Sequence, residues 1–433
     1  MIVNFSQRAH NHNFESDWAV RSLLDTDFYK LLMLQFIWKH FPDVPVSFGL
    51  INRTKSVRLA DELDEAELRR QLDHVRELRF RRSELIWLAG NTFYGRRGIF
   101  EPEFIEWLAD FELPPYRLER RDGQFELRFD GPWTHSTMWE IYGLSIVNEL
   151  RTRAGLARMT EFELDIFYAR AKAKLWDKIE RLRGVQGLAV ADFGTRRRHS
   201  FLWQEFVVQA MEAELDGAFT GTSNAYIAFK HDLEAIGTNA HELPMVLAAL
   251  ATDDRSLADA QYRVLELWQR TYGGALLVML PDTYGTTQFL ERAPQWVTGW
   301  TGIRIDSKNP ATAGEEYIDW LTSRGVDPRD KRILFSDGLD VGDILDLHAR
   351  FAGRIKAGYG WGTLLTNDFR GCHPRRTADF EPISLVCKVK EAGGRPAVKL
   401  SDNYLKATGP AAEIARYRAL FGTAGVANVP VLV

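Results

Sequence analysis

The sequence predicts an α/β fold: an irregular parallel β/α barrel preceded by an N-terminal α+β domain. Two observations carry the barrel. From about Gly187 onward, seven short apolar runs alternate with helix-period segments: "GLAVADF", "GAFTGT", "LEAIGT", "GALLVML", "WTGIRID", "RILFSDG" and "GRIKAGYG". That rhythm is the signature of parallel β/α units. Almost every run also ends in a polar or glycine cluster, from Asp192-Phe193-Gly194 to Gly360-Trp361-Gly362-Thr363. A parallel barrel gathers all its strand C-termini on one face, whereas an open doubly wound sheet concentrates function at one switch point. A third observation sets the first part apart, since its helices and strands follow no such alternation.

In order, Asp25 to Phe41 reads as a helix capped by Asp25 or Thr26, and "VPVSFGLINR" as a strand. Leu59 to Leu78 is an amphipathic helix whose buried stripe is Leu59, Leu63, Leu68, Leu72 and Val75. "YRLERRDGQFELRF" alternates about Asp122-Gly123, a hairpin turn. Helices follow at Thr137 to Leu156 and Glu161 to Gly184. Between the later strands, helices are expected at Phe201 to Leu215, Tyr226 to His231, Leu243 to Trp268, Ala311 to Ser323 and Val341 to Ala352. After Asn367 an irregular linker, "DFRGCHPRRTADFEP", leads to a hairpin about Gly393-Gly394 that returns to the N-terminal region. The expected division is an N-terminal domain over 1-160, joined by the segment 370-433, and a barrel over 161-369.

Composition narrows the function. The 433 residues are 45% hydrophobic and 26% charged, with 55 Lys+Arg against 59 Asp+Glu and a net charge of -4. No field strong enough to demand nucleic acid or an anionic membrane results. Cys372 and Cys387 are widely spaced and fit no metal or redox motif. The N-terminus lacks an apolar signal core, and no apolar run approaches membrane-spanning length. A cytoplasmic enzyme is the expectation.

Chemistry is expected at the strand ends. Gly360, Gly362 and Thr363 stand at an expected helix start, with Ser336 and Gly338 on the neighbouring strand end, an arrangement that suits a phosphate. In "DFGTRRRH", Phe193 and Arg196 suit a flat acidic ring by stacking and charge-assisted hydrogen bonding, while Arg197 and Arg198 read as a solvated basic loop. Arg304 and Asp306 share a strand face, for a ligand or for each other. Asp282 and Thr283 either bind a metal-bridged pyrophosphate or cap a helix. His241 has no His or Cys companion at zinc spacing. Its neutral nitrogen at a strand end beside a phosphate site is a nucleophile that needs no base. His10 and His12 lie in a tail and carry no weight.

Taken together, "TDFYKLLM", "DFGTRRRH", "FTGTSN", "GTNAHE", "IRIDS", "FSDGLD" and "GYGWGT", in this order, closely resemble nicotinate phosphoribosyltransferase, especially its bacterial form. The resemblance implies formation of nicotinate mononucleotide and diphosphate from nicotinate and phosphoribosyl diphosphate, coupled to ATP hydrolysis with Mg²⁺ present, in NAD salvage. It implies an ATP-dependent, ligase-type enzyme in which His241 becomes a phosphohistidine. Tyr29, from a partner subunit, and Phe193 would sandwich the pyridine ring. Arg304 with Thr238 would contact the carboxylate, Arg196 being a further candidate, and Asp306 would sit near the ring or ribose. Ser336, Gly338, Gly360, Gly362 and Thr363 would hold the 5-phosphate, and Arg53 and Lys399 the diphosphate. No metal ligand set belongs to the protein alone. A homodimer with shared active sites is implied. The sequence departs from common relatives after the histidine, where "ELPMVLAAL" lacks an aromatic-rich continuation. The alternatives are transfer to nicotinamide or quinolinate, and, in another class, RNA binding through "RFRRSE" and "DFGTRRRH".

Overall fold

A computed structural model describes residues 18–375 and 380–428. The tail histidines His10 and His12 and part of the linker after Asn367 lie outside those residues. Strand β1 (Pro45–Asn52) leads into a short ribbon, β2 (Thr92–Phe93) and β3 (Arg96–Arg97), and then into the hairpin β4 (Tyr116–Arg121) and β5 (Gln124–Pro132). That hairpin turns at Asp122-Gly123, both left-handed at φ 50 and 73, the twist a two-residue connection requires. The following strands are β6 (Val190–Asp192), β7 (Phe219–Thr222), β8 (Val278–Met279), β9 (Gly302–Ile305), β10 (Arg332–Phe335) and β11 (Lys356–Trp361). Late in the sequence come β12 (Leu385–Ala392) and β13 (Arg395–Pro396).

Two sheets result. The first is antiparallel, in the order β13-β12-β1-β5-β4. Its β12 runs beside β1 from Val46↔Ala392 to Asn52↔Leu385. The second is parallel throughout, in the order β7-β6-β11-β10-β9-β8. Six of the seven expected runs are ladder strands. "LEAIGT" makes only a single parallel bridge, Thr222↔Ala235. The reason is local: the Tyr94 hydroxyl accepts from the Gly237 N–H and donates to the Gly237 carbonyl at 2.7 Å. The backbone groups a longer ladder would use are therefore taken. Between this bridge and β8 the seam is spanned by a side chain, Asn239 Nδ2 donating to the Val278 carbonyl at 3.0 Å.

Two expected helices are each divided. Leu59–Glu62 and Glu65–Glu77 are separated at Leu63-Asp64, where the Asp64 carboxylate caps the second by accepting from Ala66 N. All five stripe residues from Leu59 to Val75 are nonetheless buried. Glu242–Leu250 and Asp254–Thr271 are separated by Ala251 to Asp253, with Asp253 and Ser256 forming a capping box. A short helix at Thr286–Arg292, absent from the sequence reading, lies between β8 and β9. The first helix begins at Phe28, and neither Asp25 nor Thr26 caps it. Phe28 N donates instead to the Ser223 carbonyl at 2.6 Å. No helix among the described residues is long and apolar enough to cross a membrane.

Candidate active site

The parallel strands end around one chamber. Its wall holds Tyr29, Phe193, Arg196, His241, Arg304 and Asp306, together with Ser336, Gly338, Gly360, Gly362 and Thr363. Of the residues singled out from sequence, Thr238 is not on this wall but lines a second cavity behind it, and Asp282 and Thr283 also lie off the wall. Tyr29, expected from a partner subunit, reaches the chamber of its own chain. Its helix is stitched there by the Asp27↔Asn224 bridge and by Ala225 N donating to the Thr26 carbonyl at 2.9 Å.

His241 precedes the helix Glu242–Leu250, and only 4% of its surface is exposed. Its Nε2 lies 2.6 Å from Asp282 Oδ1 and 3.1 Å from Lys399 Nζ, with Lys399 Nζ 3.3 Å from Asp282 Oδ2. Burial opposes the charge on Asp282, yet His241 and Lys399 hold its carboxyl well below the usual range. An ionised carboxylate only accepts, so the 2.6 Å contact places the imidazole proton on Nε2. Lys399 then donates to the other carboxylate oxygen, and Nδ1 keeps a free lone pair. Burial also pushes His241 down to about 4, Lys399 assisting and Asp282 opposing, so the ring is neutral at physiological pH. Asp282, read from sequence as a cap or a pyrophosphate group, is the imidazole's orienting carboxylate. Ser307 Oγ donates to its Oδ2 at 2.7 Å.

The neighbouring Glu242 is fixed just as firmly. Trp133 Nε1 and Thr137 Oγ1 each donate to its Oε1 at 2.6 Å, and Lys30 Nζ to its Oε2 at 2.5 Å. Lys30 also pairs with Glu140 at 2.7 Å. Arg304 Nη1 donates to the Asn239 carbonyl at 2.9 Å, bracing the same loop from the other side. The backbone beside the histidine is thus pinned to N-terminal helices on one side and to β9 on the other.

Among the described wall residues, seven arginine and lysine side chains face three carboxylates. Such an excess in a concave site favours a multiply charged anion. Sequence reasoning missed part of this set. Arg197, expected in solvent, lines the chamber and donates Nε to the Leu385 carbonyl at 3.1 Å. Arg198 is fully buried and clasps Asp25 at 2.6 and 2.8 Å. The basic run of "DFGTRRRH" is therefore no surface patch, whereas Arg79, Arg81 and Arg82 of "RFRRSE" are exposed. Lys388, Lys406, Glu140 and Asp337 were also missed. Lys388 had one signal: in β12 it alternates with buried Leu385, Cys387 and Val389, so it occupies the opposite face.

Glycines admit the chamber's close approaches. A Cβ on Gly194 would lie 2.0 Å from Thr366 Oγ1, so no side chain fits where the β6 loop meets the Thr363–Thr366 helix. A Cβ on Gly360 would lie 3.1 Å from the Phe193 ring. The two left-handed residues Asp337 and Gly338, at φ 84 and 65, turn the end of β10 toward the same space.

The chain matches two family models, the nicotinate phosphoribosyltransferase (NAPRTase) N-terminal domain over residues 24–148 and the nicotinate phosphoribosyltransferase (NAPRTase) family over residues 188–424. It is similar to the crystal structure of nicotinate phosphoribosyltransferase from Vibrio cholerae, at 32% identity over 94% of each chain with a TM-score of 0.83. The enzyme from Porphyromonas gingivalis is 28% identical, over 93% of this chain and 100% of that one, with a TM-score of 0.80. A putative nicotinate phosphoribosyltransferase from Saccharomyces cerevisiae is 27% identical, over 94% and 99%, with a TM-score of 0.79. With two matching domains and a fold shared nearly end to end, the chain belongs to the nicotinate phosphoribosyltransferase family.

Proposed function

We propose that this protein joins nicotinate to the ribosyl group of phosphoribosyl diphosphate in NAD biosynthesis, and that ATP drives the reaction through a phosphate on His241. The observation that carries the second part is the neutral imidazole held by Asp282 at the edge of a cation-rich chamber. In the transfer, the pyridine nitrogen lone pair forms a bond to the anomeric carbon as the bond to the diphosphate oxygen breaks. The nitrogen has no proton to lose, so no strong base is required, and positioning and charge do the work. Tyr29 and Phe193 hold the ring, and Arg304 and Arg196 meet its carboxylate. Ser336, Gly338, Gly360, Gly362 and Thr363 take the 5-phosphate, while Arg53, Lys388 and Lys399 stabilise the leaving diphosphate.

In the ATP step, His241 Nδ1 attacks the γ-phosphorus, ADP leaves, and the Nε2 proton stays bonded toward Asp282. The phosphohistidine adds negative charge beside Lys399, which tightens the site around its substrates until hydrolysis resets it. Mg²⁺ fits the residues present only as a passenger of phosphate. Of the cluster His241, Asp282 and Asp306, the first two already contact the Lys399 ammonium, and magnesium is ordinarily held by one or two carboxylates plus substrate oxygens. Asp306 and Asp337 would hold it, and it would neutralise charge on the departing diphosphate.

Incubation with ATP followed by mass spectrometry tests the ATP step: an acid-labile phosphate on His241 is expected, and its absence overturns that step. Competition among acceptors tests the first. Nicotinate should be consumed in preference to nicotinamide and quinolinate, and quinolinate turnover with release of CO₂ would replace the acceptor named here.

A further inference from the structure

The centre of a parallel strand ring is ordinarily filled by layers of branched side chains. Here it is hollow, with a cavity of about 550 Å³ behind the chamber. The cause is the inward sequence: Ala189 just before β6, Ala191 within it, and Gly358 and Gly360 in β11 project almost no side chain. Leu334, midway along β10, is consequently only half-buried, and Thr220 of β7 is exposed.

The hollow has two ends. At the strand N-termini its wall passes to Gln186, Gly187, Gly353 and Lys356, all exposed, so it opens to solvent there. At the strand C-termini it shares Phe193, Arg304, Ser336 and Gly360 with the chamber. Arg332 stands near the outer end. A Cβ on Gly302 would lie 2.5 Å from Arg332 Cγ, so that side chain runs across the glycine. Arg304 stands at the inner end with its buried Nε unpartnered. An apolar tube with a guanidinium at each end suits a flat acid, whereas a diphosphate demands the denser cations of the front chamber.

We propose that the hollow is an access channel by which the flat aromatic acid enters at the strand N-terminal face and reaches Arg304 from behind while phosphoribosyl diphosphate occupies the front. Naming that acid as nicotinate rests on the function proposed above; the channel itself stands on the geometry.

Two experiments separate these. Thr220→Cys puts a thiol in the hollow, the native Cys372 and Cys387 being buried. Dithiobis(nitrobenzoate), each half of which is a flat aromatic acid, should label it in the native protein. Benzoate should slow labelling several-fold, and saturating phosphoribosyl diphosphate should leave it within about twofold. Labelling only after denaturation, or no protection by benzoate, overturns the channel. Thr220→Phe, or Ala189→Leu if that variant does not fold, narrows the hollow. Stopped-flow tryptophan fluorescence should then show nicotinate joining the phosphoribosyl diphosphate-saturated enzyme at least about tenfold more slowly, with unchanged phosphoribosyl diphosphate affinity; an equal rate also overturns it. Benzoate protection of the Thr220→Cys protein, together with a parent protein that converts no nicotinate, keeps the channel and loses the function. The reverse result keeps the function and loses the channel.

Discussion

In the proposed ATP step, His241 can attack only if the right nitrogen carries the proton, and that choice falls to Asp282. Asp282→Asn removes the carboxylate that demands the Nε2 proton, so the tautomer is no longer fixed. Phosphorylation of His241 is expected to slow by between about 10² and 10⁴-fold in a labelled-ATP assay, with phosphoribosyl diphosphate binding retained. His241→Ala should abolish phosphoenzyme and ATP hydrolysis while leaving slow ATP-independent transfer; loss of all transfer with ATPase intact would contradict the assignment. The pH dependence has a definite sign. The imidazole attacks only when neutral, and burial has lowered its pKa to about 4, so the phosphorylation rate should stay nearly flat from pH 8 to 5.5. An unperturbed imidazole would already have lost about nine-tenths of its neutral form at the lower end. Lys399→Met removes a cation that lowers this pKa, so the acid limb should move to higher pH. At this scale the sequence was legible for many side chains at strand ends, though Asp337 beyond β10 was passed over. It was silent on Glu140 and Lys388, whose place depends on contacts made across distant segments.

At the scale of elements, the meeting of the β6 loop with the Thr363–Thr366 helix is the tightest of those lining the chamber. Gly194→Ala drives a methyl group into Thr366 and should cost about 1–3 kcal/mol in denaturant unfolding, typical of overpacking. Adding Thr366→Ala should recover part of the loss; no recovery would locate the strain elsewhere. The β/α alternation was legible because apolar runs and helix periods are local properties. Where the reading failed, a single side chain had intervened. Asp64 and Asp253 each start a new helix inside an apolar pattern that looks continuous. Tyr94 occupies the backbone of Gly237 and keeps "LEAIGT" out of the ladder. Neither the caps nor the tyrosine disturbs hydrophobic periodicity, so periodicity could not report them.

At the scale of the whole molecule, the buried Arg198–Asp25 pair joins the segment before the first helix to the loop after β6. Arg198→Met strands a carboxylate in the interior and should cost about 3–5 kcal/mol; Asp25→Asn in the same chain should return much of it, as thermal unfolding would show. The basic run around Arg198 looked solvated from sequence because its partner lies more than 170 residues earlier. The antiparallel sheet has a similar reach. While the chain is being made, β1 emerges early but must wait for β12 before its second edge is covered. Lys399 arrives later still. Until then β1 is an open template for foreign strands, and His241 and Asp282 lack their ammonium. A chain released before residue 385 therefore leaves an edge of β1 open to aggregation and lacks the ammonium that stands beside His241 and Asp282.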